Sequence, residues 1–427
     1  MRVPSSFLIA IALVAPACGS KDAGSAAASG NASAAESASE APSAVAMPIE
    51  DCRTIPVETC AKQCVEGRSG VSCADAANAF IYGRGVRADP ARGAEMARHG
   101  CDLGQSAACT NLAWLYSEGK GVARNPRKAA ELHERACDQG WMLACTNFGA
   151  ALLSGDGVDK DVPRAVQLFR RACASKDRRG QLHGCFNLGS QLLADADHPE
   201  QHQDAVDFLH RSARAGLGRA SFMLVGLHNA GKLLDFDAGR IDYLLREACS
   251  HGEPAACADI PWENGEPVGV PRGTHQCEYE SVYECRDQCQ KGHTGSCIYL
   301  ASMLYRGDKM EKEPTEAKRL YESACKSGYV SACSELAAVL EIEDPKSAPR
   351  VKDLREDSCN RGNPVACSWV ARDTKDPSAQ IALVEKACRW GAADGCRKLA
   401  LAETDPARIA WLKRKACRLD NKPDCES

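Results

Sequence analysis

Twenty-four of the 25 cysteines in this 427-residue chain fall into twelve neighbouring pairs, and ten of those pairs share one spacing. Eight residues separate Cys52 from Cys60, Cys101 from Cys109, Cys137 from Cys145, Cys249 from Cys257 and Cys277 from Cys285. The same step links Cys289 to Cys297, Cys325 to Cys333, Cys359 to Cys367, Cys388 to Cys396 and Cys417 to Cys425. Cys64 and Cys73 stand nine apart, and Cys173 and Cys185 twelve apart. So regular a ladder reads as a disulfide framework repeated along an array, which places the chain in an oxidising space.

The remaining cysteine bears on how the chain gets there. Arg2 precedes an apolar run from Phe7 to Val14. That run has the length of a signal-peptide core and is too short to span a bilayer. It ends in Ala15-Pro16-Ala17-Cys18, which resembles a bacterial lipobox with Ala15 in place of the usual leucine. The resemblance implies that residues 1–17 are removed and that Cys18 is lipidated. Gly19 follows, and in lipoproteins a residue other than aspartate there implies the outer membrane, facing the periplasm or the cell surface. The plainer alternative is an ordinary signal peptide cleaved after Ala17. Residues 18–50 then form the anchor and an Ala/Ser-rich linker with almost nothing to bury, expected to stay disordered. The 29 residues from 19 to 47 would reach about 30 Å r.m.s. as a flexible tether.

About 380 residues remain, too many for one hydrophobic core. Aligning the cysteine pairs shows the unit. Cys101, Cys137 and Cys173 are 36 apart. One unit reads Ala108-Cys109-Thr110-Asn111-Leu112-Ala113-Trp114-Leu115-Tyr116, then Gly119-Lys120-Gly121-Val122, then Asn125-Pro126, then Ala129, Leu132 and Ala136 up to Gly140. Apolar residues at 108, 112, 115 and 116 mark one face of a first helix, A, which Gly119 and Gly121 stop. Asn125 reads as an N-cap with Pro126 at the first position of a second helix, B, ended by Gly140. Two helices per period of this length predict an all-α fold, an α/α superhelical solenoid. Each cysteine pair then joins the end of helix B to the start of the next helix A. A ring of about nine residues contributes roughly 2.5 kcal/mol in the loop-closure picture.

One repeat lacks the pair. Ala213 and Ser221 occupy the two ladder positions, within Arg211-Ser212-Ala213-Arg214-Ala215-Gly216. Loss of both cysteines together fits a paired framework. The 173/185 pair carries four extra residues near 176–183, where a protruding loop is expected. On a larger scale, Cys52, Cys60, Cys64 and Cys73 match Cys277, Cys285, Cys289 and Cys297, shifted by about 225. The reading is therefore two arrays in tandem, residues 51–262 and 277–427, joined by a linker at 263–276. The second has shortened repeats: Cys359, Cys388 and Cys417 step by 29 and lose Gly-x-Gly-Val, so its helix A to helix B loops should be tighter.

The motifs Ala-Cys-x-Asn-Leu-Ala, Gly-x-Gly-Val and Lys-Ala-x-x-Leu, with their paired cysteines, resemble Sel-like repeats, relatives of tetratricopeptide repeats, over residues 52–425. They are most similar to the cysteine-rich group typified by the Helicobacter cysteine-rich proteins. That resemblance implies an exported protein with a concave groove and a scaffold role toward protein partners. It also implies, as an alternative, the weak β-lactamase or penicillin-binding activity described for some members.

Function has to be argued from the site. A serine β-lactamase needs Ser-x-x-Lys together with Ser-Asp-Asn and Lys-Thr-Gly. Ser323-Ala324-Cys325-Lys326 fits the first, and the other two do not occur. Among Asp195, Asp197, His198, His202 and His210, His198 precedes Pro199 and shares no helical face with His202, so a solvated loop is preferred to a metal site. Cys60/Cys64 and Cys285/Cys289 sit four apart but already have ladder partners. The Gly-x-Gly turns at 83–85, 119–121 and 155–157 follow helices, not strands, and read as turn glycines rather than phosphate loops. No catalytic residue, metal or cofactor is assigned. Net charge is −4 and pI about 6.2, which excludes a basic nucleic-acid surface.

A binding role fits better. Two residues after the helix A cysteine stand Asp75, Asn111, Asn147 and Asn187. In a tetratricopeptide-like superhelix helix A lines the groove, where an amide can hold a peptide backbone. The alternative is a structural asparagine that bonds the neighbouring turn. Trp114, Trp141, Trp369, Trp390 and Trp411 are either anchors or core fillers, with Trp141, just after the Gly140 turn, expected partly exposed. The sequence thus points to a non-catalytic envelope scaffold holding a protein or extended peptide, touching the membrane only through its anchor. A purely architectural spacer is a further alternative.

Overall fold

The computed structural model describes residues 52, 55–195, 198, 201–231, 234, 236–259, 277, 282–308 and 310–420. The signal segment, Cys18, the tether, the linker expected at 263–276 and Cys425 lie outside the described residues. The described chain is all-α, with 21 α-helices and no strand. Its fold is a helical repeat solenoid. It forms two compact units that part between Asp161 and Val162.

The N-terminal unit stacks α1 (Val57–Val65), α2 (Gly70–Tyr82), α3 (Pro90–Asp102), α4 (Ser106–Glu118), α5 (Pro126–Asp138) and α6 (Met142–Ser154). The C-terminal unit begins with α7 (Val162–Ala174), α8 (Arg178–Ala194), α9 (His202–Ala215), α10 (Gly218–Asn229), α11 (Ala238–Ser250) and α12 (Pro254–Asp259). It continues through α13 (Val282–Gln290), α14 (Thr294–Arg306), α15 (Pro314–Lys326), α16 (Val330–Glu343) and α17 (Ala348–Asn360). It closes with α18 (Pro364–Asp373), α19 (Pro377–Arg389), α20 (Ala393–Ala402) and α21 (Pro406–Asp420).

Local chemistry sets the helix ends. Asp89 and Asn125 cap α3 and α5, accepting from the backbone N–H of Arg92 and Lys128 at 3.1 Å each, with Pro90 and Pro126 at the first helical position. Gly119 ends α4 in the left-handed region at φ 67°. The second glycine of that turn has a different task. A Cβ on Gly121 would stand 2.3 Å from the Pro90 carbonyl, and one on Gly157 equally close to that of Pro126. The turns at 119–121 and 155–157 therefore press their second glycine onto the first turn of the preceding helix B, which sets the spacing of the stack there.

Eleven disulfides join the described cysteines, with Cα separations of 4.5 to 5.2 Å. Nine cross the turn between a helix B and the next helix A, as Cys101 of α3 to Cys109 of α4. The other two tie Cys52 to α1 and Cys277 to α13. Guanidiniums brace the same joints: Arg135 donates to the Cys101 carbonyl at 3.4 Å, Arg211 to that of Cys173, and Arg361 to Gly328 O at 2.6 Å.

Two expectations change. The four extra residues between Cys173 and Cys185 do not protrude as a loop. Asp177 accepts from Gly180 N at 2.8 Å and caps α8 early, so the insertion becomes an added N-terminal turn on a 17-residue helix. The division of the chain also falls elsewhere than the expected linker. Helices from both expected arrays share one core, in which Val206, Leu209 and Leu244 pack with Cys359, Cys367 and Trp390. Polar groups close the same contact. Arg240 of α11 donates to Gly362 O at 3.0 Å and Trp390 O at 2.9 Å. Asp207 of α9, fully buried, takes Lys415 and Arg418 of α21, the latter at 2.8 Å. In the shortened repeats, α18 and α20 drop to ten residues each, and only 374–376 and 403–405 connect them to the helices that follow.

Breaking a buried ion pair strands the remaining charges. Asp207→Ala should therefore lower unfolding free energy by about 3–5 kcal/mol in urea titration of the purified chain. A loss below about 1 kcal/mol would show that α21 does not depend on this carboxylate.

Candidate functional site

The rung of short polar residues expected to line a groove runs through α2, α4 and α6 as Asp75, Asn111 and Asn147, all in the N-terminal unit. Asn187 occurs in α8 of the other unit and is half-buried, as is Asp75. Asn111 and Asn147 do not face an open groove: they are 0% and 2% exposed. The cause is the packing of helix A. Every residue of α4 from Ala107 to Ser117 is buried, because Ala107, Ala108 and Ala113 let neighbouring helices close around it. Asn111 Nδ2 donates to the Ala74 carbonyl of α2 at 3.3 Å, the structural alternative weighed from sequence. The satisfaction is incomplete. Asn111 Oδ1 and Asn147 Nδ2 are buried with no hydrogen-bond partner among the described residues.

Trp141 completes this region. It precedes the first turn of α6, is half-buried, and rests on Ala74, Ala107 and Ala108. Its Nε1 also lacks a partner among the described residues. Three alanines thus make a seat on which the Trp141 indole rests. Buried polar atoms left without a partner cost free energy.

The other tryptophans divide by environment. Trp114 and Trp390 are core residues at 7% and 2% exposure. Trp369 and Trp411 keep an open face but carry cations: Arg355 and Arg372 lie 4.7 and 4.6 Å from the Trp369 ring, and Lys415 lies 5.5 Å from Trp411. Lys120 covers Trp114 at 4.7 Å and Lys128 covers Tyr116 at 4.7 Å. Sequence reading missed these cation covers and the arginine braces. The signal for the braces was available in arginines recurring about a repeat length from the joint they cap.

The catalytic and metal candidates are separated. Ser323 is exposed on α15, and Lys326 pairs with Glu322 at 3.7 Å. Cys325 between them is bonded to Cys333. His198 Nδ1 meets Asp195 Oδ2 at 3.1 Å, and His202 Nε2 meets the Asp195 carbonyl at 3.0 Å, while His210 is buried against Phe236. Asp197 lies outside the described residues. Among the described residues no cluster of three metal-ligating side chains occurs.

Comparison with known proteins accords with this architecture. Five segments match the Sel1 repeat, at residues 71–105, 106–141, 143–177, 182–217 and 295–329. The chain thus carries Sel1 repeats, with paired cysteines at their joints. No curated protein matches it. Two solved structures are similar. One is described as a protective antigen present in uropathogenic Escherichia coli strains displaying an SLR fold, with 17% identity, 86% of this chain and 82% of that one covered, and a TM-score of 0.38. The other is a Sel1 repeat protein from Oxalobacter formigenes, with 17% identity, 64% and 95% covered, and a TM-score of 0.37. Sel1-repeat proteins in general act as protein-interaction scaffolds.

His133 of α5 gives this unit a pH dependence. It is 1% exposed, neither ring nitrogen has a partner among the described residues, and burial pushes its pKa down to about 3. The unfolded chain, with the ordinary value of 6.5, takes the proton first. The resulting stability is present above about pH 6.5 and is lost as pH falls toward 3. His133→Leu should flatten the fall of the thermal midpoint between pH 7 and 4. An unchanged slope would show that this ring stays neutral for no gain.

Proposed function

We infer that the protein is a non-catalytic scaffold that holds a protein or extended peptide partner on the N-terminal unit. It is exported and tethered to the outer membrane through lipidated Cys18, facing the periplasm or the cell surface. The observation that carries this reading is Trp141. A half-buried indole over a seat of alanines, at the turn before a helix, matches what an interface anchor requires. The disulfide framework supports export, because such bridges persist in oxidising compartments. It also holds the helices in place, so little ordering cost falls on binding.

Trp141→Ala should weaken the partner by about 2 kcal/mol, roughly thirtyfold in Kd. A photoreactive residue at the exposed Gln139 should give, in intact cells, adducts of one defined protein mass that vanish in Trp141→Ala. The same probe at Ile342 of the other unit serves as control, being 71% exposed. Equal adducts from both positions would sink the reading.

A β-lactam hydrolase is the second reading, and the positions of Ser323 and Lys326 argue against it. The lysine pairs with Glu322, so the serine has no base from its own motif. Nitrocefin turnover by the purified chain should stay at the buffer rate and be the same in Ser323→Ala. Turnover that Ser323→Ala abolishes would reverse this conclusion. An architectural spacer would show no partner in either experiment.

A further inference from the structure

The repeat that lacks its cysteines has a second peculiarity. Ala213 and Ser221, which stand where the other repeats carry a bridge, both line a cavity of about 460 Å³ inside the C-terminal unit. Two small side chains leave open a place that a disulfide fills elsewhere in the ladder. The volume falls in the range that takes a small organic molecule.

The wall of this cavity is charged in one direction. Arg178, Arg214, Arg240 and Arg306 contribute guanidiniums from α8, α9, α11 and α14, against the carboxylates of Glu247 and Glu335. Arg240 is 3% exposed while Arg214, also in the lining, is exposed, and among the described residues neither forms an ion pair. Arg240 uses two nitrogens on the carbonyls of Gly362 and Trp390, and its Nε is buried without a partner. His210, 1% exposed, also lines the space, and its Nε2 is likewise unpaired among the described residues. Burial pushes Arg240 down to about 10 and holds His210 neutral, well below its ordinary range. Burial raises the Glu335 carboxyl above its ordinary value, while Arg306 acts against that rise. A buried cation without an ion-pair partner is costly, and an anion entering the cavity offsets that cost for Arg240.

The rest of the lining is aromatic and aliphatic. Tyr243, Tyr321 and Tyr329 join Leu244 and Ile298, and Tyr299 faces His251 Nε2 at 3.2 Å. Guanidiniums from several helices suit a tetrahedral group with three free oxygens better than a planar carboxylate with two. We propose that this cavity binds a small phosphate monoester whose ester group is aromatic or otherwise apolar, the dianion held by Arg178, Arg214 and Arg240 and the apolar group by the tyrosines. The site lies in the unit from Val162 onward, so it stands independently of partner binding near Trp141.

Calorimetric titration of the whole mature chain with phenyl phosphate tests this, with benzoate as a planar monoanion and inorganic phosphate as the bare headgroup. Phenyl phosphate should bind at one per chain, at least tenfold more tightly than either, and should weaken as salt rises. Arg214→Gln should weaken it at least tenfold. Because that change also removes a hydrogen bond to the Leu419 carbonyl, a second variant keeps the test open. Ala213→Cys with Ser221→Cys should restore the missing bridge, fold, and bind phenyl phosphate at least tenfold less well. Absence of saturable binding, equal binding of benzoate, or undiminished binding in both variants would each overturn the assignment. A phosphotyrosyl peptide that binds more tightly than phenyl phosphate would overturn it in favour of a protein partner.

Discussion

The covalent joint between the end of one helix B and the start of the next helix A is the constraint on which the rest of this structure depends. A helical hairpin buries too little surface to hold a fixed relation to its neighbour. The bridge sets that relation within a ring of about nine residues, and Gly121 and Gly157 set it again from the other side, against the proline of the preceding helix B. With both ends of the hairpin located, alanines are sufficient between helices. Large side chains would force the helices apart and open the joint. The low aromatic content of the chain, 5%, follows from this economy of space.

The C-terminal unit shows what happens where the joint is missing. Ala213 and Ser221 leave α9 and α10 without a bridge, and long-range polar contacts gather on this same hairpin and its neighbour. Asp207 takes two cations from α21, Arg214 reaches the Leu419 carbonyl, and Arg240 reaches two turns of the shortened repeats. Contacts some 120 to 210 residues distant replace a link of eight. Their cost is a set of enclosed charges, and the cavity is where those charges are not all answered from within the chain.

Much of the fold was legible because its determinants are local. Helix ends at Asp89-Pro90 and Asn125-Pro126, left-handed glycines, and the step between cysteines each depend on a few consecutive residues, and they recur often enough to be recognised. The insertion before Cys185 was not legible as helix, since an early cap at Asp177 looks the same in sequence as a loop aspartate. The asparagine rung was legible as a position and not as an environment. Whether Asn111 faces a groove or a neighbouring helix depends on how closely α2 and α4 approach, and that distance is set by alanines spread over several repeats.

The sequence alone therefore determined the element type, the repeat and the partners of the described cysteine pairs, because spacing along a chain is sufficient to specify contacts between neighbours. The tertiary structure decided which helices share a core, where the compact units part, which amides are enclosed, and that four guanidiniums meet around one space. Those outcomes arise from close packing and burial among residues a hundred or more positions apart, and no short stretch of sequence carries the information for them.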